Sequence, residues 1–190
     1  MSSAEEILEF WFGNDSAVSA ETQRRWFSAD REFDQICSAR FLADHTAAIV
    51  GCLDGWRRDP HSCLALVLLL DQFPRNLFRN TARAFATDAQ ALVVARGALA
   101  QGYDRELIPL KRAFFYMPFE HSETLADQDE SVRLTGEIAR NHPECADFLK
   151  YAEAHREIIR RFARFPHRNA ALGRVSTPAE AAYLLDHPGF

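Results

Sequence analysis

The most constraining feature of the sequence is a run of residues without a polar side chain, from Cys63 to Leu70. Asp59-Pro60 precedes it and is typical of a helix start, because aspartate caps a first turn and proline is tolerated there. We predict a helix from Pro60 to about Phe73, stopped by Pro74. A helix that is apolar on every side lies at the centre of a helical array. It is far shorter than the roughly 20 residues that a membrane-spanning helix needs.

Helix signals also occur along the rest of the chain. Ser2 or Ser3 and Thr177 each begin a capping box, with glutamate three residues later, and glycines such as Gly13 and Gly102 follow helical patterns as C-caps. No segment shows the pattern of a β-hairpin. The predicted helices cover residues 4–12, 20–27, 31–54, 60–73, 87–101, 104–118 with an interruption at Pro109, 122–141, 143–165 and 178–186.

Short loops between these helices favour antiparallel helix pairs, the unit of bundles and of α-solenoids. Small residues at Ala91, Ala95 and Ala98 before Gly102 resemble part of a tetratricopeptide helix. No linker rich in Pro, Gly or Ser divides the chain. We therefore predict an all-α fold of about eight or nine helices, in a right-handed tetratricopeptide-like array that forms one domain over residues 1–190.

The charge and the N-terminus limit the partners of the chain. Its formal net charge of -5 excludes a polybasic nucleic-acid binder, so no nucleic acid is expected as partner, and no membrane either. The acidic start MSSAEEILEF is unlike a signal peptide and predicts a cytoplasmic protein. Cys37, Cys52, Cys63 and Cys145 form no CxxC pair and stand in apolar stretches, which predicts buried, reduced thiols.

Polar side chains gather at two places near the middle of the chain. Asp71 follows the apolar run directly and needs a partner, which Arg75 or Arg79 could supply. This arrangement indicates either the floor of a polar pocket or a structural ion pair at a helix end. The second place runs from Arg112 to Glu123 and contains Tyr116, Glu120 and His121. The spacing there is typical of a helix start rather than of a metal site, so no metal or other cofactor is predicted.

Two further polar places lie in the C-terminal third. His155 falls on the apolar stripe of a predicted helix, where it is either a core residue or, facing a cavity, a pH-sensitive group. From Arg156 to Arg174 the chain is rich in arginine, and His167 and Arg168 stand in its middle. These cations either pair with the acidic residues between 120 and 130 or bind a phosphate or carboxylate through guanidinium forks.

Several of these segments resemble a bacterial family of uncharacterised proteins, domain-of-unknown-function family 924. The segments are EILEFWFG, LALVLLLDQFPRNLFR with TARAFATD, FFYMPFEHSE, and RFARFPHRNAALGR with STPAE, in this order from Glu6 to about Leu185. The resemblance implies an all-helical, tetratricopeptide-like fold. It implies no activity and assigns no catalytic residue.

Three functions remain open. The first is a binding protein with a groove lined by Arg and His that receives an anionic small molecule or an acidic peptide. The second is a hydrolase or transferase in which His121 or His155 acts as general base, oriented by Glu120 or Glu123. The third is a protein-protein scaffold with an aromatic surface to which Trp11, Trp26 and Trp56 contribute. The predicted ligand-binding residues are Asp71, Arg75, Arg79, Arg112, Tyr116, Arg156, His167 and Arg168, with His155 and Phe165 beside them.

Overall fold

The apolar helix lies at the centre of the molecule, as its sequence predicts. The computed structural model describes residues 1–13 and 18–187, and within it every residue from Cys63 to Asp71 is buried. The Asp59 carboxylate accepts hydrogen bonds from the backbone N–H groups of His61 and Ser62, which fixes the start of the helix. Other helical segments pack around this one along its length.

All regular structure in the described residues is helical. Eleven α-helical segments occur there, three of them of five residues or fewer, which leaves eight longer helices, in line with the predicted eight or nine. Short 3-10 turns join several of them. The α-helices are α1 (Ala4–Phe12), α2 (Ala20–Trp26), α3 (Arg31–Ile49), α4 (Pro60–Asp71), α5 (Phe73–Leu77), α6 (Asp88–Gln101), α7 (Pro109–Ala113), α8 (Met117–Glu120), α9 (Leu125–Ala139), α10 (Ala146–Phe162) and α11 (Pro178–Asp186).

The prolines start short helices instead of ending long ones, which corrects three predicted boundaries. Pro74 and Pro118 stand in the first turns of α5 and α8, and Pro109 begins α7. A first-turn residue needs no N–H for an intrahelical bond, so proline fits there. The chain therefore bends at Gln72 and continues into α5. Gln72 at this bend and Arg75 on α5 both line the cavity described below.

Two other boundaries differ from the prediction. Helix α3 ends at Ile49, not near Gly55, because the chain turns at Gly51, whose φ of 80° is open to glycine. Helix α9 begins after Thr124, not at Ser122; the Ser122 hydroxyl donates instead to the Asp127 carboxylate. The capping boxes at Ser3 and Thr177 are confirmed.

Helix α4 packs against α1, α3, α5 and α6, and α9 packs against α10. One apolar core extends from Ile7 to Phe148, and a smaller cluster of Ile158, Ile159 and Phe165 lies beneath the C-terminal segment. The tetratricopeptide-like handedness of the array and the single domain stay predictions. No helix in the described part of the chain is long and apolar enough to cross a lipid bilayer.

The cysteines and tryptophans correct two expectations. All four cysteines are free thiols, and burial raises the pKa of Cys37 to about 12 and that of Cys63 to about 11, but Cys52 is exposed. Trp11 and Trp26 are buried in the core and Trp56 is half-buried, so these three rings do not form an exposed aromatic surface.

Candidate functional site

A cavity of about 480 Å³ lies where the bend between α4 and α5 meets α8, α10 and the segment that follows α10. Most of the predicted site residues meet there, although the chain brings them from four separate segments. The predicted residues that line the cavity are Arg75, Arg79, Glu120, His121, His155, His167 and Arg168. Asp71 lies directly beneath this wall, completely buried and bonded to His121.

Asp71 is the most deeply buried charged group of the site. Its carboxylate accepts hydrogen bonds from His121 Nδ1 at 2.7 Å and from Gln72 Nε2 at 2.6 Å, and Arg75 Nη1 lies 3.6 Å away. Burial alone would raise the pKa of Asp71, but the neighbouring His121 and Arg75 outweigh it and lower this pKa to about 2. Asp71 is therefore ionised at neutral pH.

Two arginines of the cavity wall share one carboxylate behind it. Asp88, at the start of α6, accepts hydrogen bonds from Arg75 Nη1 and Nη2 at 3.1 and 3.2 Å and from Arg168 Nη1 at 3.1 Å. The Arg168 guanidinium lies between the rings of Phe85 and Phe165, with centroids 4.6 and 4.4 Å away. These contacts hold the two guanidinium groups side by side.

Arg168 is held in an unfavourable environment for a cation. Its residue is 6% exposed, and its Nε atom is buried without a hydrogen-bond partner among the described residues. Burial, followed by the charge of Arg75, lowers the pKa of Arg168 to about 10. A buried N–H donor without an acceptor costs free energy, so this group would gain from an acceptor in the cavity.

Glu120 and His155 form a second contact in the wall. His155 Nδ1 lies 2.8 Å from the carbonyl oxygen of Tyr151, which can only accept, so this nitrogen carries a hydrogen; Glu120 Oε1 lies 3.1 Å from the same atom. Burial, with the nearby Asp71 charge, raises the pKa of Glu120 to about 8. Burial also lowers the pKa of His155 well below its usual range. At pH 7 both groups are therefore mostly neutral.

The Glu120→Gln variant tests this protonation state. Glu120 keeps its proton in the folded protein up to about pH 8 but loses it near pH 4.3 when unfolded, so its contribution to stability falls as pH rises between these values. The histidines of the wall have lowered pKa values and act in the opposite direction, so the difference between variant and wild type isolates Glu120.

We expect the free energy of unfolding of Glu120→Gln, relative to wild type, to increase steadily from pH 5 to pH 8. Urea unfolding at several pH values measures it. The exposed Glu153→Gln variant controls for the loss of one negative charge. A difference that stays constant over this range would show that Glu120 is already ionised at pH 5.

Apart from Asp71, which lies beneath the wall, five predicted residues do not line the cavity: Arg112, Tyr116, Glu123, Arg156 and Phe165. Arg112, which is half-buried, and the buried Tyr116 bond to each other, at 2.6 Å, and to Asp104. Asp104 explains why these two residues do not line the cavity, because it pairs with the Arg112 guanidinium and accepts a hydrogen bond from the Tyr116 hydroxyl. Arg156 pairs with Asp129 at 3.6 Å, and Glu123 holds Arg174. The predicted pairing of the arginine-rich segment with residues 120–130 is thus present in two ion pairs, Arg156–Asp129 and Arg174–Glu123.

Part of the cavity wall is apolar, beside the polar residues Ser28, Gln72, Asn76 and Asn80, and the sequence does not predict it. Phe27, after α2, and Tyr151, on α10, stack with ring centroids 5.9 Å apart and are 53% and 41% exposed. Phe85, Met117 and Phe148 continue this wall inward. The single aromatic residues of the sequence carry no signal that could have assigned them to one surface. For Asp88 a signal existed, because it ends the family segment TARAFATD.

The histidines do not form a metal site. Residues 1–13 and 18–187 contain no group of three or more His, Cys, Asp or Glu side chains that could hold a metal ion. His121 and His155 lie with ring centroids 6.2 Å apart, and each Nδ1 already contacts an oxygen atom of the protein.

These observations define an all-helical protein with a cavity that is lined by arginine, histidine and aromatic side chains. The chain belongs to the family described as "Bacterial protein of unknown function (DUF924)", which matches residues 7–189. The resemblance of its segments to this family is thereby confirmed.

The fold has a solved relative. The chain is similar to the protein of unknown function ATU0120 from Agrobacterium tumefaciens, with 42% sequence identity and a TM-score of 0.85 over 97% of both chains. A comparison with curated proteins gives no match.

Proposed function

We propose that the protein binds a small organic anion, a carboxylate or a phosphate with an apolar portion, in this cavity. One observation carries the proposal: three arginines line the cavity, and its one acidic lining residue among those described is Glu120, which is protonated at pH 7. The carboxylates that balance the arginines, Asp34 and Asp88, do not line it.

The shape of the cavity supports a small ligand. A volume of about 480 Å³ lies within the range of small-molecule sites, which are mostly apolar with a few placed polar groups. An extended acidic peptide would need a longer groove. The aromatic pair of Phe27 and Tyr151 in the cavity wall offers a stacking surface for an apolar portion of the ligand.

Calorimetric titration with simple probes tests the proposal. We expect benzoate and phenylphosphate to bind, benzamide to bind at least tenfold more weakly than benzoate, and inorganic phosphate more weakly than phenylphosphate. The difference between benzoate and benzamide measures the contribution of the ligand's charge. The difference between phenylphosphate and inorganic phosphate measures the contribution of the apolar wall. Equal affinities for benzoate and benzamide, or no binding of any anionic probe, would contradict the proposal.

The Arg168→Gln variant identifies the residue responsible. Loss of a charged hydrogen bond to the ligand costs roughly 1.5–3 kcal/mol, so we expect phenylphosphate to bind about 10-fold to 100-fold more weakly. Arg160→Gln, which removes an exposed arginine that does not line the cavity, should bind like wild type. Circular dichroism checks that both variants are folded at the temperature of the titration. Unchanged affinity in Arg168→Gln would exclude Arg168 from the site.

A further inference from the structure

His121 is held in one defined orientation at the cavity wall. Its Nδ1 lies 2.7 Å from Asp71 Oδ1, and Asp71 is completely buried. Because an ionised carboxylate can only accept, Nδ1 carries the hydrogen and the neutral ring keeps its lone pair on Nε2. The contact with Asp71 engages Nδ1 and not Nε2, and the ring lines the cavity.

The groups around His121 keep it available as a base. Asp71 and Arg75 face it from the end of α4 and the start of α5, Glu120 precedes it, and His155 lies opposite on α10. Burial, with the positive charge of Arg75, lowers the pKa of His121, although Asp71 acts in the opposite direction. The ring is therefore mostly neutral at pH 7, as a general base has to be.

Stability alone does not account for this arrangement. Burying a carboxylate is costly, and an apolar pair of similar volume often stabilises a protein more. What Asp71 supplies in exchange is one fixed tautomer and one fixed ring orientation, the role that a carboxylate has behind a catalytic histidine.

We propose that His121 is a catalytic general base that activates water for the hydrolysis of an ester bond in an anionic substrate, with Asp71 as its positioning residue. The proposal rests on the proposed function, since Arg75 and Arg168 would hold the anionic group of that substrate. It differs from the expectation of the sequence, which gave the orienting role to Glu120 or Glu123.

The chemical step balances without a cofactor. The water oxygen adds to the carbonyl carbon of the ester while His121 Nε2 takes one proton of the water. The tetrahedral intermediate then breaks its bond to the leaving oxygen, which takes the proton back from His121. The products are a carboxylic acid and an alcohol or phenol, and Asp71 keeps its charge throughout.

The test uses 4-acetoxybenzoate, an aromatic anion whose carboxylate cannot reach its own ester, and phenyl acetate as its neutral counterpart. We expect wild type to release 4-hydroxybenzoate well above the rate in buffer, and faster than it releases phenol from phenyl acetate. His121→Gln should lose about 100-fold or more of this rate, as is usual for a general base. The control His142→Gln, at a half-buried histidine outside the cavity, should keep it.

The role of Asp71 has its own measurement. In the Asp71→Asn variant we expect 15N NMR to show His121 moving from the Nδ1–H tautomer toward the Nε2–H tautomer, together with a loss of hydrolysis. A structural role of Asp71 would change stability but leave the tautomer as it is. An unchanged tautomer would overturn the assignment of Asp71.

The outcomes separate this proposal from the proposed function. If benzoate binds but 4-acetoxybenzoate is not hydrolysed, or His121→Gln hydrolyses it as fast as wild type, the catalytic role of His121 is wrong and anion binding stands. If both esters are hydrolysed equally and only through His121, the base is confirmed and the anion site is wrong.

Discussion

Replacing Phe114 by alanine is expected to lower the free energy of unfolding by about 3–5 kcal/mol, as large cavities in a packed core do. Phe114 is completely buried, and its ring is in edge contact with Trp26, Phe12 and Phe148, at centroid distances of 4.7, 5.2 and 5.9 Å. Three helices meet at this ring: α1 through Phe12 and through Trp11 at 6.1 Å, α2 through Trp26, and α10 through Phe148. No neighbour can fill the space without leaving its own contacts.

The same variant should weaken the cavity. Trp26 and Phe148 both line the cavity and both pack on Phe114, so the aromatic wall loses its support. We expect weaker binding of benzoate together with the lower stability, measured by titration and by urea unfolding. Phe27→Ala is the matched control for stability, because the same side chain is 53% exposed there and its removal should cost far less. Equal losses in the two variants would contradict the central position of Phe114.

The central part of the fold was predictable because its signals are local. An apolar run between Asp59-Pro60 and Asp71 predicts a buried helix, and the structure contains this helix as α4. Capping boxes at Ser3 and Thr177 are equally local. The boundaries at proline were not predictable in this way, because the same residue is tolerated in a first turn and breaks a helix interior. Which of the two applies depends on whether the chain bends before the proline.

The sequence predicted which types of residue form the site, but it did not predict which residues contact one another. The predicted partner Arg75 lies 3.6 Å from the Asp71 carboxylate, but His121, which bonds to this carboxylate at 2.7 Å, lies 50 residues away in the sequence. Arg112 and Tyr116 carry the same side-chain chemistry as the cavity residues, yet Asp104 holds them elsewhere. Such choices depend on distances between helices that no spacing in the sequence contains. The local excess of arginine in residues 156–174 was still a useful signal, because one of these arginines, Arg168, lines the cavity.

Asp88 decides how strongly the arginines of the cavity attract an anion. Its carboxylate accepts hydrogen bonds from both Arg75 and Arg168, so in the free protein it occupies donors that a ligand anion would use. Removing one partner of a buried ion pair leaves the other charge uncompensated. We therefore expect Asp88→Asn to lower the free energy of unfolding by roughly 3–5 kcal/mol, while the exposed pair partner Asp129→Asn changes it by less than about 0.5 kcal/mol.

The two effects of Asp88→Asn on stability and on binding have opposite signs. The freed guanidinium groups need an anion, so phenylphosphate should bind about tenfold more tightly to Asp88→Asn than to wild type, and it should restore much of the lost stability. Calorimetric titration and thermal unfolding with and without phenylphosphate measure both. High salt should reduce the gain in affinity, because it is electrostatic. A variant that is less stable and also binds more weakly would show that Asp88 serves to place the arginines for the ligand, and that it does not compete with it.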